Sequence, residues 1–243
     1  MHFEILVEDV SGKTALEILV PKILSTEQHT FNIISYKGIG RIPKNLKSAS
    51  DAKKRILLDQ LPRLVEGYGK TFSQYPPDYS AVLIVICDLD NRCLSTFRKE
   101  LLDLVDKCNA KPKTQFCIAI EEGEAWYLGD LAAVKAAYPR AKETVINSYK
   151  NDSICGTWEK LADAVFSGGS QNLSKQGGQA IGLEKSNWAK KIPPLMEVEN
   201  NLSPSFCYFR DKLRQLSIER QESAIRIISA RKATRQERTE YES

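Results

Sequence analysis

Two aspartates separated by one residue follow the most apolar run of the sequence. Residues 82–87 are rich in β-branched side chains and lead directly into Asp88 and Asp90. Such a run predicts a strand buried on both faces, as in a parallel sheet. Carboxylates at the end of that strand suit a divalent cation, and open α/β sheets bind their ligands at that edge. The two residues would equally suit a turn or a helix cap, because aspartate favours both.

Two other apolar runs also end in acids. Residues 3–7 lead into Glu8, and residues 116–120 lead into a group of glutamates that includes Glu124. If the strands are parallel neighbours, their carboxyl ends meet at one edge of the sheet. Carboxylates packed together repel one another, so the clustering predicts a metal ion, a bound base or a protonated acid. Mg²⁺ or Mn²⁺ would suit such oxygen ligands, and one or two ions could assist phosphodiester cleavage.

Not every acid near these runs is a candidate ligand. Glu121 and Glu122 are interpreted as solvated acids in the first turn of a helix. Glu8, taken alone, could instead cap a helix N-terminus or favour it through the helix dipole. Asp130 is interpreted as a surface or loop acid. Glu124 is left open between a solvated position and the candidate site.

Alternating strand and helix patterns position the acids. Strand-like runs cover residues 3–7, 31–36, 81–87 and 114–120, and helical spacing covers residues 13–24, 52–65, 96–108 and 125–138. This alternation predicts an α/β fold with a mostly parallel sheet flanked by helices. Ser11 is the predicted cap of the first helix. We expect residues 1–138 to form the core, residues 139–216 a helical extension packed on it, and residues 217–243 a charged C-terminal helix or tail.

The composition narrows the class of protein. The chain has 243 residues, 42% of them hydrophobic, and a formal net charge of +4. Six scattered cysteines without a C-x-x-C pair, and two histidines remote from them, argue against a zinc site and a disulfide framework. No apolar run approaches the roughly 20 residues that a membrane-spanning helix needs. The N-terminus lacks the basic region of a signal peptide, so we expect a cytoplasmic protein without a membrane partner.

A glycine- and base-rich loop follows the second predicted strand. It contains Lys37, Arg41 and Lys44. These side chains are candidates for contacts with nucleic-acid phosphates. An ordinary solvated loop explains the same residues equally well.

The order strand, Glu8, turn and helix, followed by a strand ending in Asp88-Leu89-Asp90, resembles the TOPRIM fold of topoisomerases, primases and OLD-type nucleases. The resemblance covers residues 1 to about 135. In that fold the first glutamate and the D-x-D pair form the divalent-metal site. The resemblance therefore implies Glu8, Asp88 and Asp90 as catalytic ligands of Mg²⁺ or Mn²⁺, with Glu124 as a further catalytic acid.

Two later stretches, residues 124–130 and 201–206, resemble a small stand-alone bacterial TOPRIM-like family. Its members are often encoded beside ATPases in mobile or defence loci, which implies nucleic acid and an ATPase as partners and leaves a homo-oligomer open. One departure concerns Asp9, which stands where the fold usually has glycine. Glycine allows a phosphate to approach the backbone closely, and Asp9 replaces it with a negative side chain.

These observations lead to a functional hypothesis and two alternatives. The hypothesis is divalent-metal-dependent phosphodiester hydrolysis of nucleic acid by a TOPRIM nuclease in a bacterial defence or mobile-element system. The first alternative is a non-catalytic TOPRIM-like partner or regulator of an ATPase that binds metal or nucleic acid without cleavage. A small-molecule phosphohydrolase or a receiver-like domain would share the acids at the strand ends. A topoisomerase is not expected, because a separate domain with a strand-cleaving tyrosine is not apparent.

Overall fold

The structure, a computed structural model, describes residues 1–24, 27–43, 52–77 and 79–229, with residues 52 and 219–229 given by backbone alone. Lys44 lies outside these ranges. Within them the chain alternates between strands and helices in its first half and is helical in its second half. The elements are β1 His2–Val7, α1 Val10–Ile23, β2 Thr30–Ser35, α2 Leu57–Phe72, β3 Ala81–Asp88, α3 Leu94–Asp106, β4 Thr114–Ala119, α4 Glu124–Leu128, α5 Leu131–Ala137, α6 Glu143–Ile146, α7 Thr157–Val165, α8 Gly169–Lys175, α9 Gly178–Lys191 and α10 Pro204–Ser229.

The four strands form one parallel sheet in the order β2-β1-β3-β4. The register sets Val7 of β1 opposite Ile86 of β3, and Asp88 at the end of β3 opposite Ala119 of β4. The strand ends that carry acids are therefore adjacent and level. The predicted α/β class, with a parallel sheet flanked by helices and a helical C-terminal part, is confirmed.

The strand order reverses direction at β1. The chain leaves β1 through α1 to reach β2 on one side, and it later returns to place β3 on the other side. At such a switch point the connections leave adjacent strands in opposite directions, and a crevice opens between their carboxyl ends. Glu8 follows β1 and Asp88 ends β3, so both lie at this crevice.

Alternate strand residues point to two separate apolar layers, as the two-residue period of a strand requires. One layer includes Val7 and Ile86 and is covered by α1 and by helices of the second half of the chain. The other layer includes Leu6 and Val85 and is covered by α2 and α3. Burial on both faces explains why the strands are apolar throughout.

The helix that follows Glu8 begins earlier than predicted. It starts at Val10, and the Asp9 side chain, rather than Ser11, caps it by accepting a 2.6 Å hydrogen bond from the Gly12 N–H. The Ser11 hydroxyl in turn donates to Asp9. Asp9 thus satisfies an otherwise unpaired donor at the helix N-terminus.

Two other predicted helices have different bounds. The predicted helix over 52–65 is a short 3-10 turn followed by α2, which continues to Phe72 despite Gly67 and Gly69. A Cβ atom at residue 69 would lie 2.5 Å from the Ala110 carbonyl oxygen, so glycine allows the close packing there. The predicted helix over 125–138 is divided into α4 and α5, because the Asp130 side chain caps a new helix.

The second half of the chain packs on the α1 side of the sheet. Trp188, Phe206 and Phe209 are buried in the same apolar layer as Leu16 and Leu19 of α1. The last helix, α10, runs without a break across the predicted boundary at residue 216. Among the described residues, none of the helices combines the length and apolar character needed to cross a bilayer.

Candidate functional site

A cleft of about 140 Å³ opens at the carboxyl edge of the sheet, beside the ends of β1 and β3. All four acids predicted for the site contribute to its lining, together with two further acids and a lysine. The charged lining residues are Glu8, Asp9, Asp88, Asp90, Glu122, Glu124 and Lys185. The fold therefore brings the predicted acids together from three separate segments of the chain.

Glu8 lies beside the last residue of β3. Its Oε2 atom accepts a 3.2 Å hydrogen bond from the backbone N–H of Asp88. Burial raises the pKa of Glu8 to about 7, and the charges of Asp9 and Asp90 add to this effect, although the hydrogen bond and Lys185 oppose it. The Glu8 carboxylate is therefore unfavourable where it lies, mainly because it is removed from water.

The Asp88 carboxyl also has a raised pKa. Burial raises its pKa well above the ordinary value, and the nearby Glu8 and Glu124 raise it further, with partial compensation by Lys185. Mutual repulsion of this kind disappears when a cation binds between the carboxylates.

Asp90 lies at the rim of the cleft in a different setting. Its backbone adopts a positive φ of 52°, in the left-handed region that aspartate tolerates better than most residues. The Arg92 Nη1 atom lies 3.4 Å from Asp90 Oδ2, and the Arg92 guanidinium lies over the Phe97 ring at 4.8 Å. Asp90 is thus partly neutralised at the surface, while Glu8 and Asp88 lie deeper.

Lys185 is a charged residue of the cleft that the sequence analysis does not identify. Its Nζ atom lies 3.3 Å from the Oε2 atoms of both Glu122 and Glu124. The pKa of Lys185 is raised, because Glu124, Glu122 and Asp88 outweigh the opposite effect of burial. The interpretation of Glu122 as a solvated acid is wrong: its side chain is 21% exposed and faces Lys185, and burial raises its pKa to about 7 against the opposing Lys185 charge.

The helical pattern around Lys185 carried a signal for this position. Residues 185, 188, 189 and 192 follow the spacing of one helix face, and Trp188, Ala189 and Ile192 are all buried. A lysine on a face that is otherwise apolar predicts a buried partner of opposite charge. What the pattern could not reveal is that the partners are Glu122 and Glu124, about sixty residues earlier.

Two other acids near the strand ends serve the fold. Glu121 accepts hydrogen bonds of 3.1, 2.9 and 2.9 Å from the backbone N–H groups of Cys155, Gly156 and Thr157, and one from the Thr157 hydroxyl. Burial tends to raise its pKa, but these donors lower it overall. Glu121 therefore anchors the start of α7 rather than lining the cleft.

Asp130 also has a structural role. Its carboxylate accepts hydrogen bonds from the backbone N–H groups of Ala133 and Glu197, at 3.0 and 2.9 Å. It is buried, not at the surface as interpreted from the sequence. It therefore joins the start of α5 to the segment that precedes α10.

The two stretches that carried the second resemblance contact each other. The Asn201 side chain donates to the Trp126 carbonyl oxygen at 2.7 Å, and the Trp126 indole N–H donates to the Ser205 hydroxyl at 3.0 Å. The Trp126 ring stacks on Phe209 with 5.0 Å between centroids. A Cβ atom at Gly129 would lie 2.2 Å from Asn201 Oδ1, so this contact needs glycine. The two stretches thus fix α4, whose first residue is Glu124.

The basic loop leaves the same edge of the sheet. The Gly38 N–H donates a 2.8 Å hydrogen bond to the Glu8 carbonyl oxygen, and Lys37 and Arg41 are exposed. The Arg41 backbone N–H is held by Asp59 at 2.9 Å. Neither basic side chain lines the cleft, so the structure places them beside the acids rather than among them.

The acids of the cleft offer oxygen donors to a divalent cation. In the part of the chain that the structure describes, no three His, Cys, Asp or Glu side chains are arranged to hold an ion as they stand. The chemistry of the set nevertheless fits, because hard cations prefer carboxylate oxygens. Burial raises the pKa of both Glu8 and Asp88, and neighbouring carboxylates raise them further; a bound cation would oppose both effects. Binding would require rotation of these side chains.

Comparison with known proteins gives a family but no activity. Residues 7–214 match the model of a family described as a domain of unknown function, DUF4276. Searches of the curated proteins and of the solved structures each found no match. The match begins at the end of β1, ends within α10 and includes every charged residue of the cleft. The chain therefore belongs to the DUF4276 family.

Proposed function

We propose that this chain is a divalent-metal-dependent phosphodiesterase that hydrolyses nucleic acid, with a TOPRIM-like core. The observation that carries the proposal is the meeting of Glu8, Asp88 and Glu124, from three separate chain segments, in one cleft at the switch point of the sheet. The cleft holds more negative charge than Lys185 can balance, which is the condition that a divalent ion would relieve.

Each residue has a role in this proposal. Glu8, Asp88 and Asp90 would hold Mg²⁺ or Mn²⁺. When bound, the ion would supply positive charge that polarises a phosphoryl oxygen and lowers the pKa of water. The Lys185 ammonium would neutralise charge on the phosphate, and Glu124 orients that ammonium. Lys37 and Arg41 would bind backbone phosphates outside the cleft.

The biological setting is part of the same proposal. The resemblance to stand-alone TOPRIM-like proteins supports a cytoplasmic nuclease of a bacterial defence or mobile-element system that acts with an ATPase encoded nearby. It leaves self-association open. A purified protein that cuts only when the ATPase is added would fit this setting.

The first experiment is a cleavage assay with supercoiled plasmid DNA and structured RNA, in Mg²⁺ or Mn²⁺, with and without the neighbouring ATPase. We expect cleavage by the wild-type protein and none by Asp88→Asn. Asp103→Asn is the matched control, because Asp103 is an exposed acid on α3 outside the cleft. If no nucleic acid is cut under any of these conditions, or if Asp88→Asn cuts as well as Asp103→Asn, the nuclease proposal is wrong.

A second candidate function is a non-catalytic regulator of an ATPase. It is favoured by the ion pairs of Lys185, which already neutralise part of the cleft, and by the lack of a ready arrangement of three ligands among the described residues. If the protein is a regulator, the wild type and the Asp88→Asn variant should change the ATP hydrolysis rate of the partner ATPase to the same extent. A nuclease would lose its measured activity with that substitution, so the same pair of proteins separates the two functions.

A further inference from the structure

The cleft is divided into two halves that differ in how their charge is balanced. On one side the Lys185 ammonium lies between Glu122 and Glu124, with 3.3 Å to an oxygen of each. On the other side, Glu8 and Asp88 contact each other through a backbone hydrogen bond, and neither forms an ion pair among the described residues. Both halves line one continuous cleft.

The lysine is held firmly in its half. Its side chain is 19% exposed, and that of Glu124 is 7% exposed. The helix that carries it, α9, is fixed by the buried Trp188 and Ala189. Removing a buried ammonium from two carboxylates would leave uncompensated charge, which is strongly unfavourable. Lys185 is therefore a permanent part of the site rather than a surface side chain that enters it by chance.

The position of the ammonium has a chemical consequence. Two carboxylates on either side of one cation can also hold a divalent ion, and two-metal sites of phosphodiesterases place a second ion of this kind beside the first. In this chain an ammonium takes that position. Lysine also has three N–H donors, so while two face Glu122 and Glu124, the third can donate to a phosphate oxygen in the cleft.

We propose that Lys185 is a built-in cation that takes the place of a second metal ion, so that the site accepts a single divalent ion, on the side of Glu8 and Asp88. This inference rests on the proposed function, because it concerns the same metal-dependent site. It further implies that Glu124 serves the ammonium and not the metal ion. The site would then combine one metal ion and one ammonium around the substrate phosphate.

The experiment counts ions by calorimetric titration of the apo-protein with Mn²⁺ and records the electron paramagnetic resonance spectrum of the loaded protein. We expect one ion per chain and a six-line spectrum of isolated Mn²⁺ for the wild type and for Lys185→Arg. For Lys185→Met we expect two ions per chain and the multiline spectrum of a coupled pair, because Glu122 and Glu124 are released to bind a second ion. A matched double variant, Glu124→Gln with Lys185→Met, should return to one ion.

Other outcomes overturn the inference in distinguishable ways. Two ions in the wild type, or one ion in Lys185→Met, would show that Lys185 does not replace a metal ion and would leave the proposed function intact. No ion in the wild type would overturn both the inference and the metal-dependent function, whether or not Lys185→Met binds one. Circular dichroism of each variant with Mn²⁺ present establishes that it is folded. Should Lys185→Met not fold, Lys185→Gln removes the same ammonium with a polar side chain, and its expected count is again two ions per chain, with one ion overturning the inference.

Discussion

Glu121 and Glu122 are adjacent in the chain, yet their carboxylates lie in opposite environments. Glu121 is surrounded by backbone N–H groups at the start of α7, and its pKa is lowered. Glu122 turns into the cleft, where burial raises its pKa to about 7 despite the charge of Lys185. The difference shows that the fold gives Glu121 several hydrogen-bond donors, whereas Glu122 shares a single ammonium with Glu124 in the cleft.

The same division extends to the other acids. Asp9 and Asp130 each accept backbone hydrogen bonds at a helix start, so they stabilise the structure as it stands. Glu8 and Asp88 are partly buried, and burial together with neighbouring carboxylates raises the pKa of both. A protein maintains such unfavourable groups at a cost in stability, and sites of this kind are more often functional than structural.

The largest expected effect is the loss of cleavage activity when an acid of the cleft is replaced. Replacing Asp88 by asparagine removes a charged ligand but keeps the shape, so we expect metal-dependent cleavage to fall by about 10²–10³-fold or more. The same change removes a repulsive charge, and the apo-protein should therefore become no less stable. Cleavage rates and thermal unfolding of the variant and of Asp103→Asn measure both effects. A variant that is inactive because it is unfolded would contradict the division between the two classes of acid.

Glu8 gives the apo-protein an unusual pH dependence. Its pKa is 4.5 as a free side chain and about 7 in the fold, so the folded state binds more protons than the unfolded state between these values. Stability should therefore fall as the pH rises from about 4.5 to 7, by at most about 3 kcal/mol for this group. Carboxylates that accept hydrogen bonds, such as Glu121, give the opposite slope.

The measurement is the melting temperature between pH 5 and pH 8 for the wild type and Glu8→Gln, with and without Mg²⁺. We expect the wild type to lose stability towards pH 8, Glu8→Gln to lose less, and Mg²⁺ to restore the wild type at pH 8 because it binds the ionised form. A wild type that becomes more stable from pH 5 to pH 8 without metal would contradict the raised pKa.

A third prediction compares how much Glu121 and Glu122 contribute to the free energy of unfolding. Glu121→Ala removes the acceptor at the start of α7 and should lower the free energy of unfolding by about 1–2 kcal/mol. Glu122→Ala removes a carboxylate whose burial is unfavourable and leaves Glu124 to pair with Lys185, so we expect a smaller loss, below about 1 kcal/mol. Urea denaturation of the two variants measures the contrast. Equal losses would mean that Glu122 also stabilises the fold.

The sequence predicted the parallel sheet, and the position of the candidate acids at the strand ends, for a physical reason. Strands buried on both faces must be apolar throughout, so residues 82–87 are recognisable, and the acids that end such runs stand out. The environments of Glu121 and Glu122 were not predictable in this way. They depend on contacts with Thr157 and Lys185, which only the packing of the helical extension brings near.

The predicted bounds of α1 and α2 differ from those in the structure for a related reason. The predicted helix ends at residue 65, before two glycines that weaken helices, but Gly69 lies within α2 and allows it to approach the backbone of Ala110. Asp9 was interpreted through the glycine that the TOPRIM fold usually has at this position, whereas its side chain caps α1. In both cases a contact made within the fold outweighs the local preference of the residue.

The smallest expected effect concerns the basic loop beside the acids. Lys37 and Arg41 are exposed and lie outside the cleft, so they would contribute to phosphate binding rather than to the chemical step. For Lys37→Glu and Arg41→Glu we expect weaker binding of a catalytically inactive Asp88→Asn protein to nucleic acid. Each lost phosphate contact should also reduce the slope of log affinity against log salt by about 1.

Lys70→Glu is the control, because this exposed lysine lies in the last turn of α2, far from the loop that meets the first turn. Fluorescence anisotropy with labelled DNA and RNA between 50 and 200 mM salt, a range over which phosphate contacts change affinity by orders of magnitude, measures the slopes. If all three variants behave alike, the contact with nucleic acid lies elsewhere, and the acids of the cleft lose their basic neighbour as a reason to expect a polyanionic substrate.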